Sequence, residues 1–520
     1  MKLLRARDVA ALDAAAEAVG VGAALLMERA GRAVAATARR LQPQARRVVV
    51  LAGPGNNGGD GYVAAAELVR LDVEVGVLEM SDAPRSEAAR AARAALRALA
   101  PDLPIAPALA PDDPTARTLL DGADLVVDAL LGAGRSRPAG PDLVALFERV
   151  RATGAPVLAV DVPSGLDADR ADVDGDVLTA TWTLQLSAVK PASLLPSARD
   201  RYGAWWIDDL GLDAALVAAH AIADVVGRTR AGRSLPRRRS DAHKYRAGSV
   251  LVAGGSARYA GAAELAARAA LRAGAGYVLL ATPARLPASW PEFVRVDWGG
   301  RGRLDGERCD VVVLGPGLET DDDALVDLLR PWIDRPLVLD GGALRPNALA
   351  ALRGGADRRP WVLTPHAGEA ARLLDRPAAT VSGDPLAAAL ELAERTGAWV
   401  VLKGPSTVVA GPDGGCRVVP GGPAALAVAG TGDVLAGAIG ALWGAYAAAQ
   451  SAAHGAAHGA GGPPIDLLAA AVVLHAEAAR IALARLAPDG APPSGGLLAD
   501  DVVAALPAAR AALEALADRN

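Results

Sequence analysis

RVVVLA at Arg47–Ala52 runs directly into GPGNNGGDG at Gly53–Gly61. The first piece is a β-branched run of strand length, and helical text follows from about Tyr62 to Leu71. A strand, a Gly-rich turn and a helix open a parallel βαβ unit. Five glycines in nine residues permit positive φ and close approach to a ligand. Amides at the start of the following helix attract phosphate. Gly53, Gly55 and Gly58 satisfy G-x-G-x-x-G, and Glu79 ends the next strand where a ribose-binding acid would sit. That match alone is weak, and a tight turn without a ligand also accounts for it. Asn56, Asn57 and Asp60 point further, because bare dinucleotide cradling needs no such side chains.

Working outward, Val73–Glu79, Asp124–Leu130 and Pro156–Val162 read as further strands, with helical text between them. The Ala-rich stretch to Arg40, with Leu25–Met27, should pack on their sheet. A second series opens with Ser249–Gly254 and continues through helical Ala260–Ala273. Strands are expected near Tyr277–Ala281, Asp310–Leu314, Pro336–Asp340, Trp361–Thr364 and Trp399–Lys403. The chain is thus α/β throughout, divided into 1–225 and 226–520. Arg237–Arg239 near the division reads as solvated linker. Gly/Ala-rich 447–463 reads as a flexible insertion. Val434–Ala449 carries no charge but is short for a span and rich in Ala and Gly, so it reads as a buried helix.

The chain has 520 residues, 52% hydrophobic and 22% charged, enough to bury a large aliphatic core. A net charge of -5 argues against a nucleic-acid protein working through a basic face. Cys309 and Cys416 cannot build a disulfide framework or a four-thiolate zinc site. The opening MKLLRARDVAALDAAAEAV carries Arg5, Asp8 and Asp13 and has no apolar core of a signal peptide, so a cytoplasmic protein is expected, with no membrane partner. Among 54 basic residues only Lys2, Lys190, Lys244 and Lys403 are lysines, and Asn occurs only at 56, 57, 347 and 520. In so Arg-biased a chain, a retained Lys or Asn points to chemistry that needs it.

In an open parallel sheet, ligands bind outside the carboxyl ends of the strands. The 53–61 loop, Asp128, the loop Gly132-Ala-Gly-Arg-Ser-Arg-Pro138 and Asp161 should therefore share one crevice, with Lys190 near it. Asn57, Asp128 and Ser164 offer an amide oxygen, a carboxylate and a hydroxyl, suited to a hard cation. Each Asp alone also fits a cap or turn. In the second series Gly430-Thr-Gly-Asp433 precedes the long apolar helix, with Thr431 as candidate N-cap. Bared amides there form an anion hole, and Asp433 could accept a hydroxyl proton during phosphoryl transfer. A capped helix start explains the same residues. Lys403-Gly-Pro-Ser-Thr407, Thr364-Pro-His-Ala-Gly-Glu369, Gly315-Pro-Gly317 and Gly254-Gly-Ser256 leave other strand ends. His454 and His458 have i,i+4 spacing but no third ligand, and Asp321–Asp323 reads as a solvated helix start rather than a Mg²⁺ site.

Leu26-Met-Glu-Arg-Ala-Gly31, GPGNNGGDG, VDALLGAGRSRP and DVPSGLDAD resemble the NAD(P)H-hydrate epimerase family over about residues 1–215. The resemblance implies a Rossmann-like three-layer domain that interconverts R and S hydrates of NADH and NADPH. It places Asn56, Asn57, Gly58, Gly59, Asp60, Gly132, Ala133, Gly134, Arg135, Ser136, Arg137, Pro138 and Asp161 against the hydrate. K⁺ would be held by Asn57, Asp128 and Ser164, and Asp161 with Lys190 would do the acid/base work. TPHAGE, KGPST and GTGDVLAG resemble the ribokinase-like ADP- or ATP-dependent NAD(P)H-hydrate dehydratases over about 235–515. His243-Lys244-Tyr245 and Tyr259-Ala-Gly-Ala262 fit as well. This implies a three-layer α/β/α domain in which a nucleotide phosphorylates the C6 hydroxyl of the S hydrate before elimination. Lys403, Gly404, Pro405, Ser406, Thr407 and Gly432 would hold the nucleotide. Ala262, Gly317, His366 and Asp433 would hold the hydrate, with Asp433 as base. Bacterial members use ADP, so ADP with Mg²⁺ is expected, together with a homo-oligomer. The alternative is a pyridine-nucleotide oxidoreductase fused to a ribokinase-like vitamin or sugar kinase.

Overall fold

The run at 47–52 is a strand, and its period of two sorts its side chains onto two faces. Val48, Val50 and Ala52 join one core cluster with Leu26, Val34 and Tyr62, while Val49 and Leu51 join another with Leu146 and Phe147. Helices cover both faces of this sheet. The computed structural model describes residues 1–110, 113–134, 138–170, 175–238, 243–244, 246–285, 292–296, 298, 309–352, 360–454, 462–488, 490–491 and 493–519. It divides into two units, Met1–Asp224 and Val225–Asn520.

In the first unit β1 (Lys2–Leu3) pairs antiparallel with Ala223 and Asp224 of β9 (Ala223–Val225). The main strands are β2 (Arg47–Ala52), β3 (Glu74–Glu79), β4 (Ile105–Pro107), β5 (Leu125–Ala129), β6 (Val157–Val160), β7 (Trp182–Leu186) and β8 (Ala204–Asp208). Their order is β4-β3-β2-β5-β6-β7-β8, and every neighbouring pair is parallel. The chain winds outward from β2 in one direction and from β5 in the other. The carboxyl ends of β2 and β5 are therefore the switch point where a crevice opens.

The second unit contributes β10 (Ser249–Ala253), β11 (Tyr277–Ala281), β12 (Val294–Val296), β13 (Val311–Leu314), β14 (Leu337–Leu339), β15 (Trp361–Leu363) and β16 (Trp399–Leu402). A hairpin of β17 (Thr407–Ala410) and β18 (Cys416–Val419) follows. Parallel order runs β16-β15-β14-β13-β10-β11-β12, and the hairpin extends it antiparallel beyond β16. The switch point lies between β10 and β13. The helix Thr431–His454 packs so closely on Ala260–Ala273 that a Cβ on Gly437 would stand 2.1 Å from the Ala266 carbonyl oxygen. The small residues of 434–449 serve that approach. Among the described residues, two helices, at Thr431–Ala452 and Ile465–Leu486, are long and apolar enough to cross a membrane, but 61% and 83% of their apolar windows are buried inside the fold.

The expected α/β class and the expected strands are present, with ends trimmed by a residue or two. Sequence reading missed the short strands β1, β4, β9 and β12 as well as β7, β8 and the β17–β18 hairpin. It also misplaced one helix start: Asn56–Arg70 is helical, so NNGGDG forms helical turns rather than a loop. None of Gly53, Gly55, Gly58, Gly59 or Gly61 has positive φ. What they supply is close approach, since a Cβ on Gly58 would stand 1.8 Å from the Gly53 oxygen and one on Gly53 1.7 Å from the Leu130 oxygen. The expected insertion at 447–463 is helical up to His454, and 455–461, with His458, lie outside the described residues.

Candidate active sites

At the switch point of the first unit lies a cavity of about 840 Å³ lined by Asn56, Asn57, Asp60, Gly132, Asp161 and Lys190, with Ala133 and Gly134. Asp161 follows β6 with φ of 67°, an uncommon conformation for a residue with a side chain. Its backbone N–H donates to Leu184 O at 2.8 Å, and its Oδ1 accepts from Leu186 N at 3.1 Å. The same carboxylate is ion-paired to Lys190. Lys190 is fully buried, and its Nζ also donates to Leu186 O at 2.5 Å and Ala188 O at 3.2 Å. A buried ammonium is tolerated only when satisfied in this way. Burial first, then the charges of Asp161 and Asp13, push the Asp60 carboxyl well above its ordinary range.

Asp128, expected to share this crevice, does not line the cavity; it meets Ser164, and both are fully buried. Ser164 N and Oγ donate to the two Asp128 oxygens at 2.8 and 2.6 Å. Burial raises the Asp128 carboxyl to about 6 against these hydrogen bonds. Asn57 is buried with its Nδ2 unpartnered, and its side chain lies against Gly132. Gly58 and Gly59 do not line the cavity: Gly59 packs on Met27, where a Cβ would stand 2.5 Å from the sulfur. Pro138 packs beside Gly175. Arg135, Ser136 and Arg137 lie outside the described residues. Glu79 is not the free ribose acid of the dinucleotide reading. Arg93 grips it through two hydrogen bonds of 2.7 and 2.8 Å, and the Tyr62 hydroxyl donates to it at 3.1 Å.

In the second unit the strand ends gather around Lys403. Its Nζ is 2.7 Å from Asp340 Oδ1, which also accepts from the Thr364 hydroxyl at 2.6 Å. A Cβ on Gly432 would stand 3.3 Å from the same Nζ, so the GTGD helix start abuts the lysine. Burial works against the lysine's charge, but Asp340, Glu369 and Asp433 outweigh it and raise its pKa. Asp433, in the first turn of its helix, is pushed up to about 7 by burial and by Asp340, with Lys403 opposing and Glu369 adding. His366 caps the helix Ala367–Leu374: its Nδ1 accepts from Gly368 N at 3.0 Å, and Glu369 Oε2 accepts from His366 N at 2.8 Å. Ala262 and Gly317 lie together, since a Cβ on Gly317 would stand 2.7 Å from that of Ala262. Gly404 and Pro405 are exposed at the turn, whereas Ser406 and Thr407 are buried.

Thr431 is not the N-cap expected of it. It begins the helix, and its hydroxyl donates backward to Leu426 O and Val428 O at 2.9 and 3.0 Å. Asp321 caps its helix as a helix start should, but Asp322 pairs with Arg345 and Asn347 instead of standing free in solvent. Among the described residues, no group of three His, Cys, Asp or Glu is placed to hold a metal. Sequence reasoning missed Asp340 and Glu369 as members of the cluster. Asp340 was open to the same strand-end argument as Asp161, whereas Glu369 reads first as a capping residue.

A chain built this way is a two-domain α/β enzyme with an acid–lysine site in each domain. A family model described as NAD(P)H-hydrate dehydratase matches residues 250–494, and one described as YjeF-related protein N-terminus matches 23–192. A bifunctional NAD(P)H-hydrate repair enzyme of Escherichia coli is 35% identical over 499 residues, covering 95% of this chain and 90% of its own. That of Gloeobacter violaceus is 38% identical over 466 residues, covering 85% and 88%. A solved ADP/ATP-dependent NAD(P)H-hydrate dehydratase of Bacillus subtilis, co-crystallised with ATP and Mg²⁺, is 28% identical. It covers 56% of this chain and 99% of its own, with a TM-score of 0.46. The chain belongs to the bifunctional NAD(P)H-hydrate repair enzymes. The oxidoreductase–kinase alternative is set aside.

Proposed function

We propose that the first unit equilibrates R- and S-NAD(P)HX at the Asp161–Lys190 cavity and that the second dehydrates the S form with ADP. Membership of the repair family, spanning both units, is the observation that carries this reading. Asn56, Asn57, Asp60 and the 132–138 loop hold the hydrate in the first site, with Asp161 exchanging protons beside the fixed charge of Lys190.

In the second site Ala262, Gly317, His366 and Asp433 hold the hydrate, while Lys403–Thr407 and Gly432 hold the nucleotide. Asp433 takes the proton of the C6 hydroxyl as that oxygen attacks the terminal phosphorus of ADP. The new O–P bond forms as the bond to AMP breaks. Phosphate then leaves C6 with the C–O pair, and loss of a C5 proton forms the C5=C6 bond of NAD(P)H. A base with a pKa near 7 suits this step at neutral pH. Lys403 neutralises negative charge at the helix start. Mg²⁺, when bound with the nucleotide, would screen the charge of the diphosphate.

Asn57, Asp128 and Ser164 fit K⁺. The orphaned Asn57 amide turned over presents an oxygen, and a cation offsets the buried Asp128 carboxylate. The reading puts the protein in the cytoplasm and as a homo-oligomer, which light scattering would count. The deciding assay mixes R- and S-NADHX with the protein and ADP or ATP and follows the NADH absorbance. Full recovery with ADP is expected. No recovery with either nucleotide refutes the dehydratase, and recovery confined to the S fraction refutes the epimerase.

A further inference from the structure

We infer that Asp13 is a second acid/base residue of the first site, serving the face of the hydrated ring that Asp161 does not. The inference rests on the epimerase reading above. Asp13 lies on the helix Ala6–Ala18, ahead of the residues 23–192 that the family model matches. It lines the same cavity as Asp161, Lys190 and Asp60. Leu12 and Ala16 anchor its helix in the core, while Asp13 itself remains accessible. Among the described residues, no hydrogen bond or ion pair engages its carboxyl. Asp161 is in the reverse position, tied to Lys190 and to Leu186 N.

Inversion at C6 by breaking and remaking the C–O bond is served by such a second group. A hydroxyl that departs from one face must be replaced from the other, so a proton must be given on one side and taken on the other. Asp161 and Asp13 reach the cavity from different elements, the end of β6 and the N-terminal helix. From one epimer, the Asp13 carboxyl gives its proton to the C6 hydroxyl as the C–O bond breaks. Its electron pair leaves with the oxygen as water, and the ring nitrogen lone pair forms C6=N1. A water adds to the other face: its lone pair makes the new C–O bond, the C=N pair returns to nitrogen, and Asp161 takes the released proton. The opposite epimer runs the roles in reverse. One water leaves, one enters, and nothing is oxidised.

The charges around Asp13 allow it to be the donor. Desolvation of its carboxyl and then, after the opposing pull of Lys190, the charge of Asp161 raise its pKa. Asp60 faces the cavity from the Asn56–Arg70 helix, Glu17 from the same helix as Asp13, and Arg85 from the loop before Glu87–Leu99.

The test uses the full chain with separated R- and S-NADHX, reading epimer exchange by chromatography. Asp13→Asn should lower kcat for exchange about 100-fold or more, leave KM within a few-fold and remove the alkaline limb of the pH profile. Asp13→Glu should retain a large part of the activity, and added formate should revive Asp13→Ala. ADP-dependent dehydration of the S hydrate, unchanged in all three, shows that the variants are folded. An Asp13→Asn protein with kcat within threefold of the parent, or one altered only in KM, overturns the assignment. So does an Asp13→Ala protein that formate leaves inactive. If the unaltered chain exchanges no epimers, the epimerase reading itself falls, which separates the two failures.

Discussion

Each half of the molecule sets a lysine among carboxylates at its strand ends, and the two arrangements differ. In the first unit Lys190 is wholly buried and paired to Asp161, the proposed working acid, so one residue is fixed by the other. In the second unit Lys403 is paired to Asp340, and Asp433 stands beside a lysine already engaged. Burial and the neighbouring acids then lift Asp433 to about 7. A paired carboxylate is held in place for exchange in both directions. One beside an engaged lysine is tuned to take a proton once, in the forward direction. On the proposed assignment, the same residue types serve an isomerisation and a phosphoryl transfer.

The largest expected effect separates the two sites. Asp433→Ala should lower dehydration about 10³-fold or more while changing epimer exchange less than twofold, by the NADH-recovery and chromatographic assays. Loss of both activities together would break the picture of independent sites. Lys190→Met should come next. It strands the Asp161 carboxylate, and exchange should fall about 100-fold. Because breaking one side of a buried pair costs about 3–5 kcal/mol, the first unit should also melt earlier by calorimetry. An unchanged melting curve would mean that the pair does not hold the site together.

Acidity offers a finer comparison. If Asp433 is the base, kcat/KM for dehydration should rise with pH and level off near 7. Asp340→Asn removes the largest acid acting on Asp433 and frees Lys403 to face it, so the bend should move to lower pH. A bend that stays in place would show that Asp340 does not tune Asp433. Epimer exchange in the same protein should keep its profile.

The motifs made family and domain content legible because both sites are built from contiguous strand-end segments. Asp161, Lys190 and Asp433 were open to the same logic, and the structure puts Lys190 against Asp161 although 29 residues separate them. The reason for the glycines of 53–61 was not legible. Composition shows that Cβ atoms are absent, but only packing shows that Gly58 faces the Gly53 oxygen rather than a ligand. Nor was the hairpin β17–β18, since its short strands carry no period that distinguishes them from loop. Asp340 and Glu369 escaped because their importance is electrostatic and acts through Lys403, a contact that spans 63 residues in the case of Asp340.

The smallest expected effect has the opposite sign from Lys190→Met. Asp433 carries a folded-state pKa of about 7 against the ordinary 3.8. A carboxyl raised on folding favours the folded state only while it is protonated, so its contribution is lost as pH climbs from about 4 to about 7. At pH 8 the protein carries a charged, largely desolvated carboxylate near Asp340 and Glu369. Asp433→Asn keeps the shape and removes that charge. The variant should therefore melt a few degrees higher than the parent at pH 8, and the gap should narrow as pH falls toward 4, while dehydration is lost. Thermal melts at pH 8, 6 and 5 read this directly. A gap that is absent at pH 8, or that does not narrow with acid, would show that burial of Asp433 is not what raises it. The contrast between a lysine that stabilises its unit and a base that strains its own would then collapse.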